Sequence, residues 1–481
     1  MAGKIVDTDE LLGVMQGFNP WWRGGTLSEH EFKRLAYYAC HKYARDPGLR
    51  RAILISGPRR VGKTTVLMQT ASKLLREGVS PKAILYVSLD HPILKLAGFR
   101  EVLRAYHELM LPEGEPCHLL LDEIQYAQDW ETEIKLLVDH KQYYRILATG
   151  SASVLHKQKL AESGVGRWVT VHMPTLSFYE FMRIRNEETP EVPAGLRPSD
   201  LGRLSQGERS SLAATFMRVL PSFQRYLLVG GFPETARQED IGLSQRLLRE
   251  DIVERVLKRD MTSLFGVRNV SDLERLFIYL CRNTGSIIAH QPCAAALGSS
   301  TATVANHLAL LEQANLIYRL PPTSTTGKRV LKARNKYYLV DAALRNAVLL
   351  KGEDIFSNTT EMGCIVETTV LRHVFAYHYR DNPTISYWRD AATQKEVDII
   401  VESPGYTLPL EVKYKESATV KADSGLAEYS RAMGVDRAFL VTKSSGDFGP
   451  LSLPGVETEI LRVPAHILTY LLGQAERQLW L

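Results

Sequence analysis

Four short apolar runs mark the first third of the chain: Ala52-Ile-Leu-Ile55, Ala83-Ile-Leu-Tyr-Val-Ser-Leu89, His118-Leu-Leu-Leu-Asp122 and Arg145-Ile-Leu-Ala148. Their length predicts buried strands, and the segment from Thr64 to about Glu77 predicts a helix between the first two. The pattern then changes. Residues Pro190 to Ser211 are rich in Pro, Glu, Ser and Gly and lack apolar periodicity, which predicts a linker or insertion and a nearby domain boundary. Beyond it, Pro292 to Gly298 reads as a short helix and turn, and Ser299 to Glu312 as a second helix opened by a hydroxyl cap. Two strands follow, Leu316 to Leu320 and Lys336 to Leu339. Towards the C-terminus, Lys395-Glu-Val-Asp-Ile-Ile-Val401 and Thr407-Leu-Pro-Leu-Glu-Val-Lys413 are extended runs joined by the turn signal Ser403-Pro-Gly405.

The 481 residues are enough for two to four domains, and a 45% hydrophobic and 23% charged composition is ordinary for globular protein. No apolar run approaches a membrane span, so no membrane partner is expected, and the polar N-terminus lacks the core of a signal peptide. A cytoplasmic location is the expectation. Five scattered cysteines without a CxxC pair predict neither a disulfide framework nor a zinc site. A net charge of +5 neither requires nor opposes a nucleic-acid partner.

Chemistry enters directly after the first strand. Gly57-Pro-Arg-Arg-Val-Gly-Lys-Thr64 is the phosphate-binding pattern GxxxxGK[ST] between a strand and a helix. Its glycines permit turns that aim backbone N–H groups at phosphate oxygens, with Pro58, Arg59, Arg60, Val61 and Thr65 completing the cradle. Lys63 supplies a cation for the β/γ-phosphates of ATP and Thr64 a hydroxyl for Mg²⁺. The run ending in Asp122-Glu123 supplies the matching acids, Asp122 for the metal and Glu123 to polarise the attacking water. The fourth run ends in Thr149-Gly-Ser151, whose hydroxyls are placed to sense the γ-phosphate.

A second constellation lies in the C-terminal hairpin. Folding about Pro404 and Gly405 sets Asp398 opposite Glu411, and period-two alternation puts Lys413 on the face of Glu411. Two carboxylates hold a divalent metal such as Mg²⁺ or Mn²⁺ and a lysine orients water; a salt-bridged hairpin with no chemistry fits the same three residues. Between the two constellations, the paired helices and strands fit a winged helix. Thr301, Thr303, Asn306 and His307 are then its exposed polar residues, and Lys328, Arg329, Lys332 and Arg334 a basic wing.

Together the first three motifs resemble the AAA-type, ASCE class of P-loop ATPases. By that resemblance Thr149 or Ser151 is the sensor. Gly166-Arg167 and Pro174-Thr-Leu-Ser-Phe-Tyr-Glu-Phe181, with Tyr226 to Glu234, resemble segments of one bacterial and archaeal subfamily. Arg167 is then a candidate arginine finger, in cis or in trans, competing with a plain surface arginine; Arg255, Lys258 and Arg259 read first as a solvated helix face. Trp21-Trp22 reads as core packing before base contact. The hairpin resembles the PD-(D/E)XK phosphodiesterase superfamily, with Asp398 as first acid, Glu411-Val-Lys413 as the tripeptide and Glu367 as the additional helical acid. Val397 stands where that superfamily usually has proline.

The resemblance implies an α/β architecture: a P-loop ATPase with a parallel sheet over residues 1–190, a helical lid or linker over 191–265, a winged helix over 266–345, and a nuclease-like α/β domain over 346–481. It implies an ATPase whose C-terminal domain binds, and in a metal-dependent way cleaves, nucleic acid, DNA first. The alternative is a nucleotide-driven switch with an inactive nuclease-like domain that recruits a partner protein. A homo-oligomer fits either.

Overall fold

The computed structural model describes residues 6–27, 30–46, 48–150, 166–323, 334–416 and 418–480. The chain divides into two compact units between Pro174 and Thr175.

In the first unit, β1 (Ala52–Ser56), β2 (Ile84–Ser88), β3 (Cys117–Asp122), β4 (Tyr144–Gly150) and β5 (Trp168–His172) form one sheet in the order β2-β3-β4-β1-β5. All four pairings are parallel. The central strands β1 and β3 are buried almost throughout, which is why their sequences read as unbroken apolar runs rather than as alternation. Leu54, Leu85, Val87, Leu119, Leu121 and Ala148 share one core with Phe99, Tyr106 and Ile134 of the covering helices Phe99–Leu109 and Trp130–His140.

Edge strand β2 is closed by side chains. Fully buried Asn19 donates to Tyr86 O at 2.8 Å and accepts from Tyr86 N at 2.7 Å, mimicking a neighbouring strand. Trp21 and Trp22 both donate their indole N–H to Ile84 O, at 3.2 and 3.0 Å. The aromatic pair is therefore packing, as its first reading had it.

The second unit opens with short helices. The stretch expected to be a linker instead forms a turn over Pro198–Arg203 and a helix over Gln206–Phe216, with Leu201, Leu212 and Phe216 buried. Ser205 and Glu208 close a reciprocal capping box on that helix. Its apolar residues are too sparse for a periodic signal, but the Ser-x-x-Glu spacing was there to be read.

Helix Val270–Arg282, helices His290–Leu297 and Thr301–Gln313, and strands β6 (Ser286–Ile287), β7 (Ile317–Leu320) and β8 (Lys336–Leu339) follow, the strands in the antiparallel order β6-β8-β7. His307 is buried, not exposed: Val304, Leu308 and Leu311 fix the inward face of its helix, and position 307 falls on it. Thr301 and Asn306 are exposed, Thr303 half-buried. Lys328, Arg329 and Lys332 lie outside the described residues.

The last sheet is mixed, in the order β13-β14-β12-β11-β10-β9. Its strands are β9 (Thr384–Arg389), β10 (Glu396–Ser403), β11 (Tyr406–Lys413), β12 (Arg437–Thr442), β13 (Gly449–Leu451) and β14 (Glu459–Pro464). Helix Thr359–His378, buried along most of its length, contributes Glu367.

The expected boundary near residue 190 and the three-way division beyond it are not how the chain packs. Phe178 stacks edge-on against Phe223 and Tyr470, and its backbone N–H donates to His373 Nε2 at 2.9 Å. Asp341 accepts from Gly231 N at 2.8 Å, and Asn346 donates to Leu227 O at 3.0 Å. Such buried polar ties would be left unsatisfied on separation, so residues 175–479 form one unit. Among the described residues no helix is long and apolar enough to cross a membrane.

Candidate functional site

The phosphate loop leaves β1 where only glycine fits. A Cβ on Gly57 would stand 2.0 Å from Met173 O, and Gly62 has φ +96°, so the loop is built on close backbone approach and a left-handed turn. Arg34, 7% exposed, donates to Val61 O at 3.0 Å and to Pro174 O at 2.9 Å, tying the loop to the chain leaving β5. Pro58 and Val61 are buried, Arg60 is exposed with φ 59°, and Arg59 donates to Tyr126 OH at 3.1 Å. Lys63, also buried, donates its ammonium to Gly57 O at 2.9 Å and Pro58 O at 2.7 Å. Thr64 and Thr65 open the helix Lys63–Arg76, whose positive dipole end faces the loop.

The parallel register brings the distant acids here. Thr64 Oγ1 donates to Asp122 Oδ2 at 2.6 Å, and Tyr86 OH donates to the same oxygen at 3.1 Å. Thr149, fully buried on β4 between β1 and β3, donates to Asp122 Oδ1 and accepts from Glu123 N at 3.1 Å. That amide also reaches Asp122 Oδ1 at 3.2 Å. Glu123 adopts a left-handed φ of 52°, which turns its half-buried side chain away from the strand line, where Gln125 donates to it. Burial, with the Asp122 charge beside it, pushes the Tyr86 phenol well above its usual range and keeps it a donor. Thr64 and Asp122, a hydroxyl and a carboxylate in contact, are a hard-oxygen pair that fits Mg²⁺.

One expected site residue, Arg167, is not part of this cluster. Arg167 precedes β5 at the end of the sheet opposite the loop: its carbonyl accepts from Ala52 N at the start of β1, and its guanidinium grips both oxygens of Asp139 at 2.8 and 2.9 Å. A strand of five residues, roughly 16 Å, separates it from the phosphate end, so it is not a finger in cis. Ser151 lies outside the described residues.

In the second unit the hairpin register pairs Ile399 with Leu410, so one step further Asp398 faces Glu411. A bulge refines this. Pairing of β10 with β9 slips by one between Val397 and Ile400, and the bulged Asp398 turns its Oδ2 to accept from Val412 N at 2.9 Å. Lys413 Nζ lies 2.5 Å from Glu411 Oε1, and Glu411 Oε2 is buried without a hydrogen-bond partner. Burial first, then the Asp398 charge, pushes Glu411 up to about 8 and Glu367 up to about 7.

Sequence reasoning left out the most consequential member of this cluster. Lys336, 2% exposed on β8, places its ammonium against Glu396, 3.6 Å from Glu367 Oε1 and 3.6 Å from Asp398 Oδ1. Tyr338, two residues on, donates to Glu367 Oε1 at 2.5 Å. Burial opposes the lysine charge, but the three carboxylates outweigh it and raise its pKa above the usual range. Both Asp398 oxygens and one Glu411 oxygen are thus committed. Among the described residues no group of three or more His, Cys, Asp or Glu is arranged to hold a metal ion. The acids expected at a second Mg²⁺ or Mn²⁺ do not fit one in this arrangement.

Strand order is the deciding observation for the first site, since β4 stands between the phosphate-loop strand and the acidic strand. Residues 49–182 match the family of AAA domains. Residues 220–354 and 362–451 match two domains of unknown function, DUF8612 and DUF4143. An uncharacterized protein of Haemophilus influenzae is 27% identical over 324 residues, 65% of this chain and 73% of its own. One from Methanocaldococcus jannaschii is 24% identical over 343 residues, 70% of each chain. Among solved structures, AMPPCP-bound DnaA from Aquifex aeolicus aligns at 18% identity over 61% of this chain and 90% of its own, with a TM-score of 0.25.

Within the AAA-type domain, the residues missed from sequence are Arg34, Tyr86 and Gln125. Tyr86 carried a faint signal, a hydroxyl inside an apolar run; Arg34 carried none.

Proposed function

We propose that the chain hydrolyses ATP at the AAA-type site and that nucleotide state controls what the C-terminal unit binds. The observation that carries the first half is Glu123 standing beside the Asp122–Thr64 pair, its amide fixed by Thr149. Lys63 exchanges its carbonyl partners for the β/γ-phosphate oxygens, and the loop amides with the helix dipole hold the remaining charge. Thr64 and Asp122 would hold Mg²⁺, which when bound offsets the negative charge of the phosphates. Glu123 accepts the proton of a water as its oxygen bonds to the γ-phosphorus and the bond to the β-phosphate oxygen breaks. A second copy or a partner protein is the source of any arginine finger. Phosphate release from ATP by wild type, lost in Lys63→Ala and in Glu123→Gln, tests this; hydrolysis persisting in both variants refutes it.

For the C-terminal unit, the order of helices 270–313 and the β7–β8 ribbon supports a winged helix, and exposed Thr301 and Asn306 support a nucleic-acid partner, DNA first. Glu367, Asp398, Glu411 and Lys413 meeting at one end of the hairpin supports a PD-(D/E)XK-like fold. A specific observation favours the second reading, a switch that binds without cutting: Lys336 already satisfies three acids. Incubation of DNA and RNA with protein, ATP and Mg²⁺ or Mn²⁺ separates the two. Intact substrates support the switch; cutting that Lys413→Ala abolishes supports the nuclease.

A further inference from the structure

We infer that Lys336 is the resident cation of the C-terminal acid cluster, so that docking of β8 closes a latent divalent-metal site that opens only when this lysine leaves. The geometry carries the inference independently of ATP hydrolysis. Four carboxylates, Glu367, Glu396, Asp398 and Glu411, face three cations: Lys336, Lys413 and Arg389, which lies 3.2 Å from Glu396.

Lys336 is the only one of the three cations that is nearly sealed from solvent; side chains of Lys413 and Arg389 are 39% and 38% exposed. A buried ammonium among carboxylates does the electrostatic work of a metal ion, without the close oxygen coordination a metal demands. Glu411 Oε2, buried and unpartnered, is the coordination capacity left over.

The lysine is also not native to the hairpin. It reaches the acids from β8, in the three-stranded sheet, flanked by Tyr338 on Glu367 and with Tyr387 of β9 5.4 Å beneath the ammonium. Cation and acids therefore meet only while β8 lies against the mixed sheet. Withdrawing β8 would strip the acids of their cation and leave Asp398, Glu411 and Glu367 for a hard divalent ion. The same contact is a latch between β8 and the hairpin.

Mn²⁺ binding to the nucleotide-free full chain, followed by electron paramagnetic resonance, tests this. In wild type, no Mn²⁺ binding should be sensitive to Asp398→Asn. Lys336→Met, which keeps the length and removes the charge, should gain one Mn²⁺ per chain, at least tenfold tighter than any wild-type site, and Asp398→Asn should remove the gain. A folded Lys336→Met that gains no Mn²⁺ overturns the inference. So does wild-type Mn²⁺ binding that Asp398→Asn abolishes, a comparison that stands even if the Lys336 variant fails to fold.

Discussion

Thr149→Val is the substitution that isolates positioning from binding at the ATPase site. Valine keeps the shape of a side chain that is fully buried, and removes one hydroxyl that donates to Asp122 Oδ1 and accepts from Glu123 N at 3.1 Å. Asp122 loses a charge-assisted hydrogen bond, and bonds to charged groups contribute about 1.5–3 kcal/mol. The Glu123 amide keeps its 3.2 Å contact to Asp122 Oδ1, so its loss is partial. If the arrangement matters chiefly in the transition state, about 1.4 kcal/mol per tenfold converts this into a fall in kcat of roughly one to two orders of magnitude. The phosphate loop is untouched, so KM for ATP should stay within about twofold. Steady-state phosphate release over a range of ATP concentrations measures both, with circular dichroism to confirm folding. Thr149→Ser restores the hydroxyl and should recover most of the rate. A Thr149→Val enzyme at the wild-type rate, or a serine variant as slow as valine, would refute the reasoning.

Three further outcomes follow from the same geometry. Gly57→Ala should abolish nucleotide binding, measured by calorimetry, because its Cβ would stand 2.0 Å from the backbone oxygen of Met173; unchanged affinity contradicts the close approach. Arg34→Ala removes two buried donors from Val61 and Pro174 carbonyls and should cost about 2–4 kcal/mol of first-unit stability by denaturant unfolding, from ~1–2 kcal/mol per orphaned acceptor; a cost below 0.5 would show that water replaces it. Glu367 and Glu411, pushed up to about 7 and about 8, hold protons in the folded chain that the unfolded chain releases near ~4.3, so their contribution is full at acid pH and is lost as pH rises towards 8. Glu411→Gln should flatten that slope in thermal unfolding, and an identical slope in both proteins would contradict the burial.

The AAA-type site was legible because its chemistry is local. Gly57 to Thr64 is one contiguous loop, and Asp122-Glu123 ends a run whose apolarity marks it as a central strand. The turn at Pro404-Gly405 likewise announced the register that sets Asp398 against Glu411, although not the bulge that aims it. What stayed hidden depends on distant partners. Arg34 acts on a carbonyl 140 residues away, and Asn19 on a strand 67 residues away, with no spacing to betray either. His307 looked exposed because a polar residue at helical spacing carries no mark of facing inward. Lys336 looked like the start of a wing strand, and only the docking of β8 on the mixed sheet makes it a counter-ion. The packing boundary after Pro174 was not legible, because Leu176 to Phe181 continues the AAA-type motif in sequence while its aromatic rings pack against residues 223, 226 and 470.

The most direct measurement is single-turnover hydrolysis of γ-labelled ATP by the full chain, with wild type, Lys63→Ala and Glu123→Gln side by side and bound nucleotide recorded in parallel. The account predicts phosphate release by wild type, nucleotide retained without release by Glu123→Gln, and neither by Lys63→Ala. Release by Glu123→Gln at the wild-type rate would contradict it.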